Sequence, residues 1–389
     1  MKVLLIGRKL IHVLIPTLLL VGATKWSVAQ SQMNLELSPD QVAQATRSQP
    51  NLPVTNEVEL EVIAELPIRP SAVVKAPNGR IFWTEHFGAP HPDQVHELLP
   101  DGTFRSYPAE QDYKSHALRI DRNGVLWMLD MGGNGRLPIL RAWNTNTETL
   151  VQEVEIPPPA YAPSSGLQDF VIDERNNQVI IADTSSGVGS ENNDPALVVV
   201  NLATGQSRRV LAGHPSVQAE SLTASINGES LMLTRRDGTR FPARFGVNGI
   251  AIDPAGEWVY YSPMTGTSVY RITTGDLADE SLSAEALSDR VERYGAKEIG
   301  DGILVDSAGN VYNTDLQHNA IGVTNAEGEY RLIRQDDRLL SFGEGFEPAT
   351  DGYIYMATNQ AHRSIFFQPQ DRGVPPYYLL RFRPLAPAR

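Results

Sequence analysis

Six polar residues, Ser71, His116, Gln168, Asn248, Asp301 and Glu344, each stand at the head of a short apolar run. Two are carboxylates, two are primary amides, one is an imidazole and one a hydroxyl. Gln168, Asn248, Asp301 and Glu344 together supply the hard oxygen donors that Ca²⁺ prefers. Asp301 would act as metal ligand or general base, and His116 as an alternative base, since imidazole titrates near neutrality. A small-molecule pocket is the second reading, because Phe87, Tyr113, Phe170, Phe245 and Phe346 lie beside these positions and would wall it. A plainer reading competes with both. Asp and Asn before a strand also form ordinary turn hydrogen bonds, and polar groups lining a channel also hold water.

A repeat must gather these residues. The stretch DGILVDSAGNVYNTDLQHNAI (301–321) reads as a buried strand, an Asp-Ser-Ala-Gly turn, a second strand and a polar turn into a third. The same grammar recurs in SAVVKAPNGRIFWTE (71–85), HALRIDRNGVLWMLD (116–130), QDFVIDERNNQVIIAD (168–183), NGIAIDPAGEWVYYS (248–262) and EGFEPATDGYIYMAT (344–358). Gly79, Gly124, Gly256, Gly309 and Gly352 share one register, and Asn176 and Asn177 stand there in the copy at Gln168. Six copies about 40 to 80 residues apart, each unable to bury its faces alone, predict an all-β, six-bladed β-propeller. Its inner strands all start at one end of the central channel, so the six residues predict a ring at one mouth. VELEVIAEL (58–66) alternates like a strand and would close the last blade beside YYLLRF (377–382), because an open ring leaves an unpaired edge.

Composition sets limits. In 389 residues, 33 Lys and Arg face 46 Asp and Glu, for a net charge of −13; this argues against nucleic acid or an anionic membrane surface as partner. Lys2, Arg8 and Lys9 precede an apolar run from Leu10 to Ala23, and Ser27-Val28-Ala29 is a small-x-small cleavage site. That order predicts a signal peptide over 1–29, cleaved after Ala29, and a secreted chain, extracellular or periplasmic, with no stable membrane insertion. The absence of cysteine excludes disulfides, thiolate metal sites and a thiol nucleophile. Residues 30–57 read as a mobile polar leader, 58–384 as the propeller and 385–389 as a tail. Two insertions break the period. Residues 213–245 contain an Asn-Gly hairpin turn at Asn227 and Gly228; residues 275–297 place Leu277, Leu282, Ala286 and Leu287 at helical spacing. Either would cap an end of the ring or decorate its rim. Oligomeric state is left open.

LWMLDMG (126–132), LQDFVID (167–173), GVNGIAIDPAGEWVYYSPMTGTSVYRI (246–272), DGILVDSAGNVYNTDLQHNAI and ATNQAHR (357–363) resemble the major royal jelly protein/yellow family. The resemblance runs from about Val58 to Pro384 and implies a secreted six-bladed propeller, with dopachrome conversion or capture of small amines among its activities. The cysteines of insect members have no counterpart here. A more distant similarity is to calcium-dependent gluconolactonases and regucalcin-like propellers. It implies a metal held at blade starts, with Asn248 and Asp301 matching, Gln168 in place of an Asn and Ser71 in place of a Glu. Three functions follow as expectations. The first is binding of a small amine, phenol or sugar-lactone-like molecule at the channel mouth by His116, Gln168, Phe170, Asn248, Asp301 and Glu344. The second is Ca²⁺-dependent lactone hydrolysis, with Asp301 and His116 catalytic; the third is protein interaction.

Overall fold

The computed structural model describes residues 52–389 apart from 110–112, 186–192 and 236. The predicted signal peptide lies outside the described residues. Six four-stranded antiparallel sheets form the ring. Their inner strands are Pro70–Lys75, Ala117–Ile120, Leu167–Asp173, Val247–Ile252, Gly300–Val305 and Gly343–Pro348, in blades 1 to 6. Each inner strand packs against the next, and the first packs against the sixth. The first hairpin of each blade turns on a residue of positive φ. Gly124 (77°) and Gly309 (80°) adopt it without a Cβ penalty, and Asn177 (52°) takes the same conformation in blade 3.

Both faces of every blade are buried, which accounts for the near-continuous apolar second strands such as Val125–Asp130 and Gln178–Asp183. Leu129 and Ala142 of blade 2 pack against Phe170, Ile181 and Val198 of blade 3. Val171, Ile180 and Val199, on the opposite face of blade 3, pack against Ile250, Val259 and Ile272 of blade 4. Period-two alternation thus gives one strand two different neighbours.

The ring closes as the sequence predicts. Glu61–Leu66 is the outer strand of blade 6 and pairs antiparallel with Tyr377–Phe382, Leu66 opposite Tyr377. Residues 52–57 depart from the mobile-leader expectation. Val54 bridges Leu332 in parallel, Thr55 and Glu57 donate backbone N–H groups to Leu332 and Ile333, and Glu57 pairs with Arg331. They cover the edge that blade 5 would otherwise expose. The last residues are also seated, with Leu385 N–H donating to the Tyr312 hydroxyl and the Arg389 guanidinium to the Ile120 and Pro348 carbonyls.

The first insertion forms two hairpins, Ser225–Ile226 with Glu229–Ser230 and Met232–Thr234 with Arg240–Pro242. Asn227 and Gly228 are the predicted turn, both at positive φ. These hairpins pack over the channel mouth against the loop that links Ile354–Thr358 to Tyr377–Phe382. The second insertion forms two short helices, Thr274–Ala278 and Ala284–Ser288, which add Leu277 and Leu287 to the core of blades 3 and 4. It is a rim decoration.

Candidate functional site

Five of the six ring residues sit at β-bulges. Pairing with the second strand skips Gln168 and Asn248 singly, and skips Ser71, Asp301 and Glu344 together with the residue that follows each. A bulge frees a residue from the ladder and re-aims its side chain, here into the channel. In blades 1 and 5 a second-strand threonine satisfies the freed backbone groups. Thr84 Oγ1 accepts from Ala72 N–H, and Thr314 Oγ1 accepts from Asp301 and Gly302 N–H at 3.1 and 3.0 Å. His116 directly precedes its strand. All six residues line one cavity of about 100 Å³.

Glycine brings three of them into contact. Asn248, Asp301 and Glu344 are each followed by glycine, and a Cβ on Gly302 would lie 2.5 Å from Gly345 Cα, while one on Gly249 would lie 2.8 Å from the Asp301 carbonyl oxygen. No side chain fits between these strands. The close approach lets Asn248 Nδ2 donate to Asp301 Oδ1 at 2.6 Å and sets the Asp301 and Glu344 carboxyls beside each other. Burial pushes the Asp301 carboxyl up to about 6, partly offset by the Glu344 hydrogen bond and by the His116 and Lys297 cations. Burial and the neighbouring Asp301 charge raise Glu344 well above the usual carboxylate range. Two buried carboxyls side by side retain one proton between them. Glu344 Oε1 also accepts from Asn359 Nδ2 at 2.5 Å.

Across the cavity, His116 Nδ1 meets Asp93 Oδ1 at 3.1 Å and Nε2 meets Gln168 Oε1 at 2.9 Å. Burial alone would lower this imidazole, but the Asp93 carboxylate, the Gln168 oxygen and the Asp301 charge more than offset it and hold its pKa above the ordinary value. Asp93 itself sits at φ 62°, a conformation uncommon outside glycine. The floor is Arg119, bonded to Asp169 Oδ2 at 2.7 Å and 3.4 Å from Glu347. Beyond it the channel widens to a second cavity of about 1010 Å³ at the opposite end.

The roof is aromatic. Phe366 packs on Phe87 (centroids 4.6 Å apart) and faces Phe245 at 6.4 Å, with Phe342 and Phe367 behind. Phe87, Phe245 and Phe346 are walls, as the sequence predicts. Phe170 is a correction. Its ring is fully buried in the core between blades 2 and 3, because the bulge at Gln168 spends one residue on the channel and the strand then alternates between blades. Tyr113 packs on Trp143 instead. Phe366 and Phe367 lie on a loop outside the repeat, while His86 and Phe342 flank the repeated strands at positions whose residue type changes from blade to blade, so the sequence pattern marks none of the four. His91 and His96 share buried Glu85, His96 Nε2 at 2.8 Å and exposed His91 at 3.7 Å.

As a Ca²⁺ set the predicted ligands divide. Asn248, Asp301 and Glu344 converge and fit a hard cation. Gln168 does not, because its oxygen already takes the His116 Nε2 contact. Among the described residues no group of three His, Cys, Asp or Glu side chains is placed to hold a metal.

A six-bladed propeller with a polar ring under an aromatic roof is the class of protein that this architecture defines. Residues 115–370 match the major royal jelly protein family, and the chain belongs to it. It is similar to major royal jelly protein 2 of Apis mellifera, 20% identical over 299 residues covering 68% of this chain and 62% of that one. With major royal jelly protein 1 of Apis mellifera it is 23% identical over 262 residues, covering 60% and 57%. The matched segments span less than two thirds of those relatives' own length. Among solved structures, a gluconolactonase from Xanthomonas campestris superposes with a TM-score of 0.52 at 12% identity, covering 84% of this chain and 89% of that one. The calcium-binding protein regucalcin from Agrobacterium tumefaciens gives 0.52 at 14% identity, covering 87% and 100%. These likenesses concern the fold. No helix among the described residues is long and apolar enough to cross a membrane.

Proposed function

We propose that the protein is an exported propeller that captures a small aromatic amine at the channel mouth. The observation that carries the reading is the Asp301–Glu344 pair, one negative charge on two buried carboxyls beneath an aromatic roof. An organic ammonium would neutralise that charge, and aromatic faces attract it by about 0.5–2 kcal/mol. Size selects the ligand. A cavity of about 100 Å³ is comparable to the roughly 150 Å³ engineered cavity that takes benzene, which points to one ring with a short polar chain.

A second reading places Ca²⁺ on the same pair, favoured by the convergence of Asn248, Asp301 and Glu344. Bound there, the cation would supply Lewis-acid polarisation of a lactone carbonyl. His116, oriented by Asp93, would hold or move a proton across the cavity.

Calorimetric titration separates the two. 2-Phenylethylamine should bind the wild type and not Asp301→Ala, and at a hundredfold excess over Kd should stabilise it by about 2.7 kcal/mol. Stabilisation by CaCl₂ and not by the amine would replace the first reading with the second. Export is tested separately: exported protein whose N-terminal sequence begins at Met1 would contradict cleavage.

A further inference from the structure

His86 is 1% exposed yet lines the cavity. It leaves the end of the strand Ile81–Glu85, tied by its N–H to the Arg69 carbonyl at 2.9 Å. The ring is held in one orientation. Gly88 N–H, which can only donate, gives its hydrogen bond to His86 Nδ1 at 3.1 Å, so the neutral ring carries its proton on Nε2. Phe87 packs on the ring at 3.7 Å between centroids, and the roof loop presses on Gly88, where a Cβ would meet Ser364 Cβ at 3.2 Å. The Nε2–H therefore faces the Asp301–Glu344 side of the cavity. Glu344 Oε1 stands 3.7 Å away, beyond hydrogen-bond reach, and Nε2 has no hydrogen-bond partner among the described residues.

A donor fixed in orientation on the cavity wall favours a ligand group that places an acceptor on it. The acid pair receives an ammonium, and a fixed donor 3.7 Å from it receives an acceptor. That separation suits a nitrogen and an oxygen on adjacent carbons.

We propose that the ligand of this cavity is a β-oxygenated amine, its ammonium on Asp301–Glu344 and its neighbouring hydroxyl, ether or carbonyl oxygen on His86 Nε2–H. His86 is then the residue that sets specificity. This inference rests on the amine reading above and narrows its ligand class.

The test titrates the full chain with 2-phenylethylamine and with each enantiomer of 2-amino-1-phenylethanol. One β-hydroxy enantiomer should bind the wild type about tenfold tighter than the plain amine, equivalent to about 1.4 kcal/mol. In His86→Phe, which keeps the ring against Phe87 and deletes the donor, the ratio should fall to about one, and His86→Gln should restore part of it. ¹⁵N NMR of the wild type gives an independent reading whether or not His86→Phe folds: the His86 signal should be that of the neutral, Nε2-protonated ring. Equal affinity for the plain and hydroxylated amines, as when a water fills the place, overturns the inference and leaves the amine reading standing. So does a preference that survives in both variants, or a ring protonated on Nδ1. Failure of the plain amine to bind at all removes the amine reading itself.

Discussion

Asp301 and Glu344 meet across the boundary between blades 5 and 6, where a Cβ on the intervening Gly302 would lie 2.8 Å from the Glu344 carbonyl oxygen. The contact joins two inner strands through the heads of their bulges, and the glycines that follow leave the strands room to approach. Fold closure and site chemistry thus share one geometric requirement.

The shared proton has a consequence for stability. Asp301 is raised from its usual value to about 6, and Glu344 is raised well above the usual carboxylate range. A carboxyl whose folded pKa exceeds its unfolded value contributes stability that is fully present below the unfolded value and lost as pH rises through the folded one. Glu298, raised to about 6, and Glu347, raised to about 7, act in the same direction. These carboxyls should therefore lower the melting temperature of the unliganded protein as pH rises from about 6 to 7.5, while His86 and His362, held below their usual value by burial, act in the opposite direction below about pH 6.5. Asp301→Asn, which keeps an acceptor for Glu344 without ionising, should flatten part of that slope; an unchanged slope in calorimetric scans contradicts the shared proton.

Adjacent glycines should differ sharply. A Cβ on Gly302 meets Gly345 Cα at 2.5 Å and the Glu344 carbonyl oxygen at 2.8 Å, whereas one on Gly345 meets nothing within 4 Å. Gly302→Ala should destabilise by about 1–3 kcal/mol as overpacking does, and Gly345→Ala by clearly less. Urea midpoints of the two variants decide it.

Two phenylalanines should separate stability from binding. Phe170 is fully buried between blades and Phe366 is 41% exposed on the roof. Phe170→Ala should cost about 3–5 kcal/mol. Phe366→Ala should cost little stability while speeding dissociation of 2-phenylethylamine in stopped-flow traces. The reverse pattern would return Phe170 to the site.

Truncation should locate the ordered start of the propeller. A chain beginning at residue 52 keeps the Thr55 and Glu57 hydrogen bonds to the edge of blade 5; one beginning at Val58 loses them. Each is worth about 1 kcal/mol net, and the exposed Glu57–Arg331 pair adds little. The shorter chain should melt a few degrees lower, and equal melting temperatures would show that residues 52–57 do not hold the edge.

The sequence by itself determined the blades, their number, their closure and the ring. Turn glycines and alternating apolar runs are local signals that repeat in register, so Ser71, His116, Gln168, Asn248, Asp301 and Glu344 fall at one mouth by symmetry alone. Tertiary structure decided what symmetry cannot. Which way Phe170 points depends on a bulge that shifts the alternation by one residue, and the repeat pattern carries no mark of it. Phe366 reaches the cavity, and Asp93 reaches His116, from loops with no counterpart in other blades, while His86 shares the register of Thr184 and Met264 but not their chemistry, so the repeat marks none of the three. The proton shared by Asp301 and Glu344 arises only when glycine lets two strands approach and burial removes the water that would keep both carboxyls charged.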